Sequence, residues 1–264
     1  MSNDLKIKIL KEDPGDFDLS FKIIIIGDSF VGKSCLALKA CKGLFEENYN
    51  PTIGFEFLTF FVKIDESNIK LQIWDTCGQE VYRSLISSFY HNSSLAILVY
   101  SIDNANSFES LESWLNEIKT LGNPDINIFL IGNKADLEDN REVTKEMGQN
   151  FCNSHDIKFF LETSAKTGFN AENVFIEATK LLYEQHLKYK DRFSRPDSVN
   201  NLSMGENFGN SNNVILENNE LEYDKFEDEK IFDKVNQFTK VALNELTQSK
   251  LSVFSKEKTI KKYE

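Results

Sequence analysis

The sequence predicts a layered α/β fold on a mostly parallel sheet, and three observations predict it. From Leu19 to about Lys190, short β-branched runs alternate with segments of helical spacing. Two neighbouring runs instead flank a short polar turn, which gives one antiparallel edge hairpin. Hydrophobic residues make up 41% of the 264-residue chain, enough for a real core and too many for wholesale disorder.

The elements follow in order. Phe21–Ile26 is a β-branched run closed by Gly27, as in a strand buried on both faces. Ser34–Lys42 reads as a short helix. Phe55–Lys63 and Ile69–Asp75 form the hairpin around Asp65-Glu66-Ser67-Asn68. Leu95–Ser101 is another buried strand. Ser107–Leu121 reads as one helix, with Phe108, Leu111, Leu115 and Ile118 at helical spacing. Ile126–Ile131 is a strand, Thr144–Ser154 a helix, Lys158–Leu161 a last short strand and Ala171–Leu187 a last helix. That makes six strands, with right-handed crossovers between the parallel ones.

The ends differ in character. Residues 1–18 read as an N-terminal extension before a domain at 19–190. Residues 191–224, rich in Asn with Pro196, Gly205 and Gly209, read as a flexible linker. Residues 225–264 form a C-terminal extension. There Ile231, Val235, Phe238, Ala242 and Leu246 mark one amphipathic helix, and Lys256, Lys258, Lys261 and Lys262 a modest basic cluster.

Composition excludes several classes. Asp and Glu outnumber Lys and Arg 42 to 30, for a net charge of -12, which disfavours nucleic-acid binding. No apolar run approaches the ~20 residues of a spanning helix, and no secretory signal opens the chain. Four cysteines without metal-like spacing read as reduced thiols. A cytoplasmic protein, in solution or peripheral to endomembranes, is the expectation.

Gly27-Asp28-Ser29-Phe30-Val31-Gly32-Lys33-Ser34 matches G-x-x-x-x-G-K-S, after a buried strand and before a helix. Such a loop curls so that successive N–H groups and a helix N-terminus face a polyphosphate. Asp28, Ser29, Val31, Gly32, Lys33, Ser34 and the adjoining Cys35 are the candidate phosphate-side residues. Lys33 would neutralise the outer phosphates, and the Ser34 hydroxyl would ligate Mg²⁺. In Trp74-Asp75-Thr76-Cys77-Gly78-Gln79-Glu80, Asp75 ends a strand where it can hold the Mg²⁺ shell. Gly78 would let an N–H approach the γ-phosphate, and Gln79 could orient an attacking water. Asn133-Lys134-Ala135-Asp136 follows a strand, and its carboxylate can accept from guanine's N1–H and amine; adenine offers no such pair. Ser164-Ala165-Lys166, after the last strand, would supply a backbone N–H to guanine O6.

Together these motifs make residues Leu19 to Lys188 resemble the Ras superfamily of small GTPases, and the Rab family closely. The Rab-type segments are Ile53-Gly54-Phe55-Glu56-Phe57, Lys70-Leu71-Gln72-Ile73-Trp74, Gln79-Glu80-Val81-Tyr82-Arg83-Ser84-Leu85 and Leu98-Val99-Tyr100-Ser101-Ile102. The resemblance implies a P-loop G domain with about five helices beside the sheet, a partly disordered C-terminal extension, and GTP/GDP with Mg²⁺ as ligands. It assigns Thr52, in Pro51-Thr52-Ile53-Gly54, as a Mg²⁺ ligand in the GTP state, and Phe45 as the aromatic against the guanine edge. Catalytic roles fall to Gln79, Lys33 and Gly78; metal ligation falls to Ser34, Thr52 and Asp75. It implies a monomeric switch in vesicle-mediated protein transport, met by an exchange factor, a GTPase-activating protein and trafficking effectors. The chain departs from the family at Cys77, where alanine is usual, at Phe89-Tyr90-His91-Asn92-Ser93, and at Lys261-Lys262-Tyr263-Glu264, which has no prenylation cysteine. Any membrane contact is therefore expected to be peripheral. The alternatives are a GTP-binding scaffold with negligible hydrolysis and a P-loop kinase or ATPase; Gln79 speaks against the first and Asn133–Asp136 against the second.

Overall fold

Ile23, Ile24, Ile25 and Ile26 have no solvent exposure at all. Such a run requires cover on both faces, which a central parallel strand provides. These residues end β2 in a computed structural model that describes residues 5–47, 52, 55–78, 89–90, 92–123 and 126–193. In chain order the elements are β1 (Ile7–Leu10), β2 (Leu19–Ile26), α1 (Lys33–Lys42), β3 (Phe55–Ile64), β4 (Ser67–Thr76), β5 (Leu95–Ser101), α2 (Ala105–Glu109), α3 (Leu111–Leu121), β6 (Asn127–Asn133), α4 (Lys145–His155), β7 (Phe159–Glu162) and α5 (Ala171–Phe193).

The sheet order is β1-β3-β4-β2-β5-β6-β7. The β1–β3 and β3–β4 pairs are antiparallel; the pairs from β4 through β7 are parallel. The fold is thus the expected α/β architecture with a mostly parallel sheet. After β2 the chain moves to one side for β3 and β4, then to the other for β5 onward. The carboxyl end of β2 is therefore a topological switch point, where loops diverge and leave a crevice.

The sheet has seven strands, where six were predicted. The seventh is β1, from the segment read as an N-terminal extension. Four residues are too few for a clear alternation, but Ile7 and Ile9 pack against the core, in register with Ile64 and Val62. Lys6 N donates to Asp65 Oδ1 (3.1 Å) and Asp65 N to Lys6 O (2.9 Å), so β1 is tied to the hairpin turn beside the β3 edge that it covers.

The predicted helix Ser107–Leu121 is two helices. Asn104 caps α2 by accepting from Ser107 N (3.1 Å), which starts it earlier. The chain then breaks at Ser110, whose hydroxyl donates back to Asn106 O (3.0 Å) in competition with the helical ladder. From Leu111 the buried stripe Leu111, Trp114, Leu115 and Ile118 drives α3 onto the sheet. At α4, Thr144 accepts from Met147 N (3.2 Å).

One continuous hydrophobic cluster carries α1 and α5, packed on it through Leu36, Ala37, Val174, Phe175 and Ala178, while the equally buried Ile24, Ile26, Leu98, Trp114 and Leu115 lie outside it. Each fully buried Ile, Leu or Phe contributes roughly 1.5–3 kcal/mol. No disulfide joins the four cysteines. Burial pushes the Cys41 thiol up to about 12 and that of Cys152 up to about 11, which keeps both protonated. Among the described residues, no helix is long and apolar enough to cross a membrane. The predicted linker beyond Phe193 and the helix predicted from Lys225 lie outside the described residues.

Candidate functional site

The carboxyl ends of β2, β4, β6 and β7 lead into Gly27–Gly32, Cys77–Gly78, Lys134–Asp136 and Thr163–Lys166. These loops border a cleft of about 260 Å³. Ser29, Gly32, Lys33, Ser34, Cys35, Phe45, Thr52, Gly78, Asn133, Lys134, Asp136, Ala165 and Lys166 all line it. Pattern reading had scattered these residues over more than half the described chain. The topology gathers them on one rim.

Gly32 caps α1 at φ 90, and no side chain caps the helix. No acidic residue sits in the first turn of α1, so its N-terminal N–H groups and positive dipole end point into the cleft uncompensated. Lys33 is 5% exposed, and its Nζ donates to Gly27 O (2.9 Å) and Asp28 O (2.8 Å). Burial lowers its pKa, and Asp75 opposes that shift. The ammonium is thereby folded back against its own loop, within reach of an anion.

Three oxygens meet beneath it. Ser34 Oγ lies 2.6 Å from Thr52 Oγ1, and it also donates to Asp75 Oδ2. The other carboxylate oxygen, Asp75 Oδ1, is buried with no hydrogen-bond partner. Burial pushes Asp75 up to about 7, although Lys33 and the Ser34 hydroxyl pull it down. A fully buried carboxylate with an orphaned oxygen beside two hydroxyls is a hard oxygen donor set in want of positive charge. Ser34 and Thr52 could ligate Mg²⁺ directly and Asp75 through water, so the residues present fit that ion.

At the far end, Asp136 Oδ1 accepts from Ser164 Oγ (2.5 Å), and Ala135 N donates to Thr163 O (2.9 Å). These bonds fix the carboxylate against the loop after β7. Lys134 takes φ 64, and its amine lies 3.5 Å from Asp103. Phe45 is half-buried against the core at the same end, and Lys166 pairs with Glu47 at 3.1 Å. Farther along, Arg141 donates to both oxygens of Glu162 (2.7 and 3.1 Å) and to Val143 O (2.8 Å), pinning the chain that leaves this loop.

Asn133 joins the two ends. Its Nδ2 donates to Val31 O (2.9 Å) and Gly32 O (3.3 Å). Its Oδ1 accepts from Thr163 Oγ1 (3.1 Å) and Ala165 N (3.2 Å). One buried amide thus fixes the phosphate loop relative to the base loop. A Cβ at Gly32 would stand 2.4 Å from Asn133 Nδ2, so only glycine fits there. Gly78 is required for the same kind of reason. Its Cβ would meet Asp28 C and Ser29 N at 2.4 Å, which places the strand-end loop directly on the phosphate loop.

Some predicted residues sit behind the cleft. The Val31 side chain belongs to the core, so only its backbone faces the loop. The Asp28 carboxylate turns away and accepts from Trp114 Nε1 (2.7 Å) on α3. Asp75 reaches the site through Ser34, and Ser164 through Asp136. Gln79, with Pro51, Ile53, Gly54 and His91, lies outside the described residues.

Sequence reasoning missed Trp114, Thr163 and Phe30. Trp114 completes the α3 stripe by its spacing, and a buried indole N–H needs an acceptor, but nothing in the pattern names Asp28 as that acceptor. Thr163 precedes the Ser164 motif without a signal of its own. Phe30 occupies a variable position of the phosphate-loop pattern, yet it borders the cleft.

Residues 22–184 match the family model described as Ras family. That span covers more than half of the chain and contains the phosphate loop, the hydroxyl and carboxylate cluster, and the base loop. The chain belongs to the Ras family, whose members are small GTP-binding switch proteins.

Proposed function

We propose that this protein is a Rab-like small GTPase. It binds GTP and GDP with Mg²⁺, hydrolyses GTP, and regulates vesicle-mediated protein transport. The observation that carries this reading is the pairing of two ends in one cleft. Lys33, the uncapped start of α1 and the Ser34–Thr52–Asp75 oxygens suit a polyphosphate with a divalent cation, while Asp136 suits guanine.

Each residue then has a task. Lys33 leaves the Gly27 and Asp28 carbonyls for the outer phosphates, and the loop's N–H groups hold the remaining oxygens. Bound Mg²⁺ supplies charge neutralisation at the phosphates. Ser34 and Thr52 would present their hydroxyls to it, and the cation would favour the charged form of Asp75, which burial alone disfavours. Gly78 allows backbone to reach the γ-phosphate side, and Gln79 orients the water for in-line attack. Asp136 accepts from guanine N1–H and the exocyclic amine, with Ser164 holding its orientation. No arginine lines the cleft among the described residues, so turnover by this chain alone is slow and a partner supplies the missing cation.

The effector reading rests on strands β3 and β4. Phe55 on β3, Trp74 on β4 and Phe89 pack mutually at centroid distances of 5.0–5.2 Å, the first two stacked and Phe89 tilted against both. Phe57 meets Trp74 edge-on at 5.4 Å and is 42% exposed. This aromatic cluster follows the Thr52 segment and brackets the Gln79 segment in sequence. A rearrangement of either would reach a surface that a trafficking effector could read.

Single-turnover hydrolysis with Mg²⁺ tests the enzymatic part. Wild-type protein should convert bound GTP to GDP, and Gln79→Leu should slow this by roughly 10- to 100-fold with GTP affinity unchanged. Equal rates in the two proteins would remove Gln79 from the mechanism. No turnover in either would favour the scaffold reading.

A further inference from the structure

Phe30 is 77% exposed, more than any other large hydrophobic residue among those described. It stands within the phosphate loop and is among the residues that line the cleft. Its backbone is left-handed, with φ 66. For a bulky aromatic this is a genuine outlier, since the Cβ crowds the carbonyl where glycine would sit freely.

The surroundings impose that conformation. On one side, the Asp28 carbonyl is held by Lys33 Nζ (2.8 Å) and the Asp28 carboxylate by Trp114 Nε1 (2.7 Å). On the other, Val31 is locked in the core, and Asn133 binds the carbonyls of Val31 and Gly32. Both ends of the short segment that carries Phe30 are therefore tied. A phenyl ring is therefore carried at a strained position where it gains little packing within the protein. Strain that persists under such clamping belongs with binding-site geometry, and Phe30 lines the cleft.

We propose that Phe30 is a nucleotide-retention residue. Its ring forms an apolar lip over the phosphate–ribose edge of bound guanine nucleotide, keeps water from the contacts beneath, and slows release. The inference rests on the guanine-nucleotide reading given above. Its physical basis is simple. Apolar area exposed in the empty cleft is covered when the nucleotide binds, and excluding water strengthens the charge contacts of Lys33.

The test uses the full chain loaded with ribose-labelled fluorescent GDP and chased with excess unlabelled GDP. Phe30→Ala and Phe30→Gly should both release the nucleotide about tenfold faster than wild type, as expected from uncovering roughly half a ring's apolar area. Phe30→Leu keeps a bulky apolar side chain and should restore slow release to within about threefold of wild type. Faster release in Phe30→Gly alone would assign the effect to backbone freedom and overturn the proposal. Unchanged release in all three variants would also overturn it. Failure of the wild-type chain to retain labelled GDP would refute the guanine-nucleotide reading itself, before any variant is compared.

Discussion

Asp136→Asn is expected to weaken GTP binding by about 10²- to 10⁴-fold. The carboxylate accepts from two guanine donors, and each charge-assisted bond contributes about 1.5–3 kcal/mol. An amide keeps one acceptor but presents a donor where guanine also has one. Xanthine carries a carbonyl at that place, so the variant should prefer xanthosine nucleotides. The fold should hold, because Asp136 is exposed and the amide oxygen can still accept from Ser164 Oγ. Parallel titrations with GDP and xanthosine diphosphate check this. Unchanged GDP affinity would take the specificity role from Asp136.

Asn133→Ala should be the most damaging single truncation in the site. Asn133 is 1% exposed, and its amide serves two carbonyls of the phosphate loop and two donors of the loop after β7. Removing it strands buried polar groups at about 1–3 kcal/mol each, for a total of about 3–6 kcal/mol. The loss should divide between stability and nucleotide affinity, because the same amide fixes the distance between phosphate and base subsites. Denaturant unfolding with and without saturating GDP separates the two parts. A variant that unfolds and binds like wild type would show that the phosphate and base loops hold their spacing without this amide.

Sequence pattern reached most of the fold because its signals are local. Ile23–Ile26 and Leu95–Ser101 announce doubly covered strands by composition, and the turn around Asp65–Asn68 announces the hairpin. It missed β1, whose four residues fit the sheet only through pairing with β3, more than fifty positions away in sequence. It also ran α2 and α3 together, since a serine inside a helical stripe does not reveal whether its hydroxyl will compete with the ladder.

The candidate site was legible wherever a motif fixes both residue type and spacing. Ser34, Thr52 and Asp75 come together as hydroxyls around a buried carboxylate. Coupling between motifs was not legible. Asn133 reads as part of a base-recognition motif, yet its amide spends its hydrogen bonds on the phosphate loop and on Thr163 and Ala165. The Trp114–Asp28 bond spans 86 positions and has no sequence signature. Long-range hydrogen bonds of this kind are set by the sheet order, which separates β2 from β6 by β5 alone and packs α3 against β5, and not by any local spacing.

Calorimetric titration of chelator-stripped, full-length protein with GDP and with ADP, both in Mg²⁺, addresses the central claim most directly. The account predicts a saturable heat with GDP at one site per chain and no heat with ADP at the same concentrations. Equal binding of both nucleotides, or binding of neither, would contradict it.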